Sequence, residues 1–299
     1  MALLALAADW SKASGHPPVF AATVDHGLRA ASADEALMVA EACATLGIPH
    51  ATLHWSGAKP GTRIQERARN ARYAALCAHA HEIGADTLLT AHHADDQAET
   101  ILFRLLRGSG IGGLAGMKPS LARDGVAHAR PLLSLRKDEL VAFCEARGLP
   151  FATDPSNVDP RYARTRMRTL AATLEREGMG PPHWARLGAR AARAEDALAF
   201  ATSELRARLD IDATPDCTRF DAKGLRNVPA ELVLRLLTAE MKRLGHAPRL
   251  ERAEPLTDLV MRSLAEGAPV RVTLGGTIID LRPDGRLTMM REGPRGKAP

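Results

Sequence analysis

Asp86-Thr87-Leu88-Leu89-Thr90-Ala91-His92-His93-Ala94-Asp95-Asp96-Gln97-Ala98-Glu99-Thr100 is the stretch on which the fold turns. Residues 86–90 form a short apolar run with threonines toward both ends, which suits a buried parallel strand. Beyond Thr100, the side chains Ile101, Leu102, Leu105 and Leu106 recur at helical spacing, and Gly108 stands where a glycine stops a helix. The acidic cluster therefore falls at a strand-to-helix turn, on the carboxyl edge of a sheet, where open α/β sheets bind ligands. Asp96 and Glu99 are three apart and share one helical face. An acidic first turn also complements the helix dipole, and Asp95 would serve as an N-cap. Two histidines, two aspartates and a glutamate ahead of a glycine-rich loop at 108–116 weigh toward a site. Such carboxylates hold Mg²⁺, a hard cation that bridges to substrate phosphates, or an ammonium group; the pattern leaves both open.

Outward from this stretch, strand and helix alternate. Residues 1–8 read as a helix. A strand at 19–24 runs into Asp25-His26-Gly27-Leu28-Arg29, a turn at another strand end. Ser32-Ala33-Asp34-Glu35 is a capping box, opening a helix that stops at Gly47. A strand at 48–55 and a helix at 63–83 follow. The expected fold is α/β, a parallel-sheet nucleotide-binding domain over 1–180, with right-handed crossovers. Within the helix at 63–83, Arg69, Arg72 and Tyr73 lie on one face.

Composition bounds the class. The 299 residues are 45% hydrophobic and 25% charged, ordinary for a globular chain with room for two domains. Forty Lys+Arg against 35 Asp+Glu give a net charge of +5, a mild bias toward an anionic partner. Cys43, Cys77, Cys144 and Cys217 are scattered, with no CxxC pair for zinc or redox chemistry, so buried reduced thiols in a cytoplasmic protein are expected. No run approaches the length of a transmembrane helix, and no membrane association is expected.

Asp154-Pro155-Ser156-Asn157-Val158-Asp159-Pro160-Arg161-Tyr162-Ala163-Arg164-Thr165-Arg166-Met167-Arg168 places four arginines within eight residues beside a tyrosine, suited to phosphate or carboxylate. Past Gly178-Met179-Gly180-Pro181-Pro182, a long helix at 184–209 carries Arg186, Arg190 and Arg193 as a basic stripe. A helix at 231–244 and two strands joined at Gly275-Gly276 complete a smaller α+β unit over 181–299, without a recognisable catalytic cluster.

The run HHADDQAETILFRLLRGSGIGGLAGM, together with VDHGLR, ARNARY and the DPSN-to-RTRMR segment, resembles the signature of the tRNA(Ile)-lysidine synthetases, in the PP-loop ATP-pyrophosphatase group. The likeness runs from Met1 to about Arg168. It implies an adenine nucleotide α-hydrolase-like fold, ATP and Mg²⁺ as cofactors, and isoleucine tRNA and free L-lysine as partners. It implies ATP-driven adenylation of the oxygen on carbon 2 of a wobble cytidine, then attack by the lysine amine with loss of AMP. By the same likeness Asp95, Asp96 and Glu99 are catalytic, with Asp95 and Asp96 toward metal and Asp96 with Glu99 toward the lysine ammonium. Asp25, His26, Arg69, Arg72, Gly108 and Gly110 lie toward the nucleotide. Arg164, Arg166 and Arg168 lie toward substrate, and nothing chooses among the three. Thr165 departs from the family pattern, which has asparagine there.

The family also carries a buried strand followed by SGGxDS, whose amides cradle the ATP phosphates. That motif is not among residues 1–299, and Met1-Ala2-Leu3-Leu4 resembles what directly follows it. Gly110-Ile111-Gly112-Gly113 follows a helix rather than preceding one, so it is no substitute. The chain as it stands is expected to lack the amide nest, and hence activity toward ATP. Two other readings stay open: a sibling PP-loop enzyme that thiolates tRNA, against which the cysteine spacing speaks, and a non-catalytic tRNA-binding derivative.

Overall fold

The structure, a computed structural model, describes residues 1–13, 15–25, 31–54, 64–151, 163–245 and 248–293, with the side chains of 31–33, 64–66 and 163–164 also left out. His26, the Ser32 capping box, the DPSN segment through Tyr162 and the Arg164 side chain thus lie outside the described residues. The chain divides into two compact units, Met1–Arg190 and Ala191–Pro299.

The first unit begins with α1 (Ala2–Ser11), β1 (Ala21–Asp25), α2 (Ala31–Leu46), β2 (His50–His54), α3 (Ile64–Glu82) and β3 (Thr87–Leu89). β1 and β2 pair in parallel, Ala21 opposite His50 and Asp25 opposite His54. α2 leaves its last turn through Gly47 at φ +73°, a left-handed stop that costs glycine little. Next come α4 (Ala94–Leu105), the four-residue α5 (Ile111–Leu114), β4 (Ser120–Arg123), β5 (Val126–Ala129), α6 (Lys137–Ala146), α7 (Ala163–Arg176) and α8 (Pro181–Arg208), which crosses into the second unit.

β3 pairs with β5 in parallel, Thr87 opposite Ala127, and β4 closes on β5 as an antiparallel hairpin. The hairpin was not anticipated, although its turn is Asp124-Gly125, both at positive φ (46° and 80°), the geometry that Asp-Gly favours between strands. The expectation of a buried strand at 86–90 needs correction. The strand is parallel, but Leu89 is 38% exposed, because among the described residues β3 is hydrogen-bonded on one side only.

Behind the acidic stretch, Ala98, Ile101 and Leu102 of α4 pack with Trp184 of α8, and Met167, Leu170 and Leu174 of α7 close the cluster. That packing fixes the rotation of α4, and with it the direction of the acidic face that flanks the apolar one.

The second unit is a five-stranded antiparallel sheet, β6 (Asp212–Thr214), β7 (Cys217–Asp221), β8 (Val270–Leu274), β9 (Thr277–Leu281) and β10 (Arg286–Arg291), in the order β6-β7-β10-β9-β8. α9 (Ala230–Arg243) and α10 (Leu250–Glu266) supply its helices. Val233, Leu236, Leu237, Val260, Ile279, Leu287 and Met289 form its core. Glu240, buried in that core, accepts from Arg206, Arg243 and Thr218, so its charge is fully partnered.

Candidate active site

α4 is started by its own sequence. His93 is the N-cap in an extended conformation, and the Asp96 carboxylate reaches back to the His93 amide at 3.1 Å, closing one half of a capping box. Asp95 does not cap this helix. Its Oδ2 instead accepts from the Lys137 amide at 2.8 Å, the first residue of α6, while the Ala94 amide donates to the Leu135 carbonyl at 2.8 Å. One carboxylate thus serves the amino-terminal end of a different helix. The His93 ring lies 3.4 Å from both Asp95 and Asp96. Contact with that ring and the Lys137 amide, together outweighing burial, hold the Asp95 carboxyl down at about 2.

Asp96 and Glu99 are buried, at 7% and 5% exposure. Glu99 Oε1 accepts from Arg168 Nε at 2.9 Å. Two groups expected from sequence to meet opposite ends of a small substrate are therefore placed against each other. Arg166 is exposed on the same helix, α7.

A second cluster adjoins the first. Tyr73, buried on α3, has the Arg123 guanidinium 4.1 Å from its ring centroid, with Arg72 at 5.2 Å and Arg69 at 5.3 Å. The face read as Arg69, Arg72 and Tyr73 is thus a tyrosine roofed by arginines. Buried Arg130 donates to the Lys118 carbonyl at 2.6 Å and lies 3.4 Å from His128 Nδ1. Between the clusters, Thr90 Oγ1 is 2.8 Å from His92 Nδ1 and 2.9 Å from His128 Nε2. Burial pushes both imidazoles down to about 4, helped by Arg130, Arg69 and Arg72; Asp96 opposes the effect on His92. Sequence inspection missed Thr90, His128, Arg123 and Arg130 as site neighbours. Arg130 stood in plain view directly after the strand Val126–Ala129, which brings it into interaction with Tyr73.

Asp25 ends β1 beside His54, 3.8 Å away. Gly108 takes φ +66° after α4. Gly110, expected to follow a helix rather than precede one, does both: it comes after α4 and N-caps the four-residue α5. Arg104 draws the glycine loop inward by donating to the Gly113 and Gly116 carbonyls, and Gln97 bonds both the amide and the carbonyl of Met117. Among the described residues no three His, Cys, Asp or Glu side chains group into a metal cage. Asp95 and Asp96 bring two carboxylates to the same His93 ring, a hard oxygen donor set whose chemistry fits a Mg²⁺ completing its shell with water and phosphate.

The PP-loop domain family matches residues 1–174. The tRNA(Ile)-lysidine synthase of Methylobacterium sp. (strain 4-46) is 46% identical over 284 residues, covering 93% of this chain and 82% of that protein. Its counterpart from Rhodopseudomonas palustris is 44% identical over 305 aligned residues, covering 99% and 88%. The U34-tRNA thiolase NcsA from Methanococcus maripaludis, solved with its [4Fe-4S] cluster, superposes with a TM-score of 0.54 at 19% identity, over 63% of this chain and 68% of that one. That likeness concerns the fold. A domain match over more than half of the sequence, with relatives this similar along nearly all of it, places the chain in one family: it belongs to the tRNA(Ile)-lysidine synthases, within the PP-loop group.

Proposed function

We propose that the protein forms lysidine on an isoleucine tRNA, as its relatives are named for doing. The observation that carries this reading is the buried pair Asp96 and Glu99 at the carboxyl end of β3, with Arg168 at one end and the arginine-roofed Tyr73 near the other. In the reaction, the oxygen on carbon 2 of the wobble cytosine attacks the α-phosphorus of ATP and pyrophosphate leaves. The amine of lysine, having given up its proton, then bonds to carbon 2 and AMP departs with the oxygen. Asp96 and Glu99 hold the ammonium form of lysine before it reacts. Arg168 neutralises Glu99 and presents its remaining N–H donors to the lysine carboxylate. Arg69 and Arg72 serve the polyphosphate, and Asp25 and His26 are assigned to the nucleotide. Asp95 and Asp96 would hold Mg²⁺, which offsets charge on the departing pyrophosphate.

Thiolation is disfavoured by the cysteines themselves: Cys43, Cys77 and Cys144 are buried on three separate helices and Cys217 lies in the other unit. No helix among the described residues is long and apolar enough to cross a membrane. The test is incorporation of radiolabelled lysine into an isoleucine tRNA transcript whose wobble base is cytidine, in the presence of ATP. In a protein with the family's strand and SGGxDS loop placed ahead of Met1, label dependent on both ATP and that cytidine is expected. tRNA binding without ATP-dependent label would favour the non-catalytic reading.

A further inference from the structure

The contacts running from Arg130 to His92 have one assignment of protons that gives every donor along them an acceptor. Arg130 has no acceptor, so across its contact with His128 Nδ1 it must donate, and that nitrogen must be bare. At 3.4 Å this is the longest link, but the opposite tautomer would set one N–H against another. His128, fully buried, then carries its proton on Nε2 and donates to Thr90 Oγ1 at 2.9 Å. The Thr90 hydroxyl keeps a second lone pair, but its own proton needs an acceptor, and the one within reach along this chain is His92 Nδ1 at 2.8 Å. His92 is left with a bare Nδ1 and its proton on Nε2.

We propose that Thr90, His128 and Arg130 are positioning residues that fix His92 in its Nε2–H form, so that it meets the nucleotide substrate as a neutral hydrogen-bond donor and not as a base. Three observations support it. The chain of contacts starts from a buried guanidinium, which cannot reverse its role. His92 lies within electrostatic reach of Asp96 on the one hand and of Arg130, Arg69 and Arg72 on the other, between the groups assigned to lysine and to polyphosphate. Both rings stay neutral at physiological pH, since each is held down at about 4. A neutral donor suits a site where negative charge builds on oxygen as phosphate–oxygen bonds form and break. The identity of the acceptor rests on the lysidine-forming reading; the tautomer does not.

The test is nitrogen-15 NMR of the full chain labelled at histidine, near neutral pH, with the His92 signals assigned from a His92→Gln protein. Nδ1 and Nε2 of His92 are expected at the shifts of an acceptor and a protonated nitrogen respectively. A hydrogen bond of ordinary strength shifts such an equilibrium about tenfold, so Thr90→Val should bring the His92 tautomers to comparable populations while Thr90→Ser keeps the wild-type pattern. An Nδ1–H or doubly protonated His92 in the wild-type chain would overturn the proposal, whatever the variants do. So would an unchanged His92 pattern in a folded Thr90→Val protein. If Thr90→Val does not fold, the wild-type tautomer and its retention in Thr90→Ser still decide. Lysine incorporation is read separately: its absence with the expected tautomer would count against the functional reading and leave the relay standing.

Discussion

Arg168 and Glu99 lend themselves to a double-mutant cycle. The pair joins α4 to α7 through a 2.9 Å bond between a carboxylate side chain 6% exposed and a guanidinium side chain 35% exposed. Removing one partner of a fully buried pair costs about 3–5 kcal/mol, since the other charge stays buried alone. Water reaches the arginine side, so the cost of Arg168→Met is discounted to about 2–3 kcal/mol. Glu99→Gln keeps an acceptor for Arg168 Nε and should cost about 1 kcal/mol. The double variant should lose less than the sum, with a coupling of about 1–2 kcal/mol. The probe is built in: Trp184, one of three tryptophans, is buried against Ile101 and Leu102 in the cluster that also holds Met167 and Leu170 of α7. Urea unfolding of a Trp10→Phe/Trp55→Phe background, followed by Trp184 fluorescence, therefore reports on the seam that the ion pair closes. A coupling below about 0.5 kcal/mol, within the error of additivity, would mean that Glu99 owes its place to helix packing and that Arg168 is no part of the site's electrostatics.

Three further outcomes follow from the same geometry. His92 and His128 take up protons below about pH 6.5 when unfolded but near 4 when folded, so the unfolded state binds more protons in that window. Stability should therefore fall as pH drops from about 6.5 to about 4, and His128→Phe, if folded, should flatten that slope in chemical denaturation series. Asp95 behaves likewise lower down, its stabilisation present above about 3.9 and lost as pH falls through about 2; its side chain is 34% exposed, so Asp95→Ala should cost only about 1 kcal/mol at neutral pH, and a cost that persists unchanged at pH 2 would contradict the assignment. Gly116 sits at φ +71°, where an added Cβ would stand 2.7 Å from the Gln97 oxygen that is bonded to Met117, so Gly116→Ala should cost about 2–3 kcal/mol in the same Trp184 assay; a neutral result would show that the glycine loop is free to shift.

The features that could be read from sequence were those set by local rules. The helix from Ala94 onward follows from the spacing of Ile101 and Leu102, and the hairpin at Gly275-Gly276 from its turn residues. Asp95 shows where such rules stop. An acid at the start of a helix looks like a cap for that helix, yet its carboxylate went to Lys137, 42 residues away, because another amino-terminal end lay closer in space. The relay through Thr90 and His128 joins residues 38 apart, and no periodicity announces a pairing made by strand register. The exposure of Leu89 could not be read from its own segment, since burial of a strand depends on neighbours supplied by other parts of the sheet. The second unit yielded the helix expected at 231–244, but α10 went unnoticed because Pro255 lies inside it, in the second turn, where its missing N–H forgoes the bond to the Glu251 carbonyl.

The bond from the Lys137 amide to Asp95 has a use of its own. A cation or ammonium group that settles on Asp95 must compete with, or polarise, that amide, which lies at the start of α6 and belongs to no residue assigned to substrate. The Lys137 amide is thus a resident gauge of the acidic site. Its proton resonance and its exchange rate with solvent should respond when Mg²⁺ or lysine arrives, in a single backbone signal that can be followed without tRNA, without ATP and without turnover.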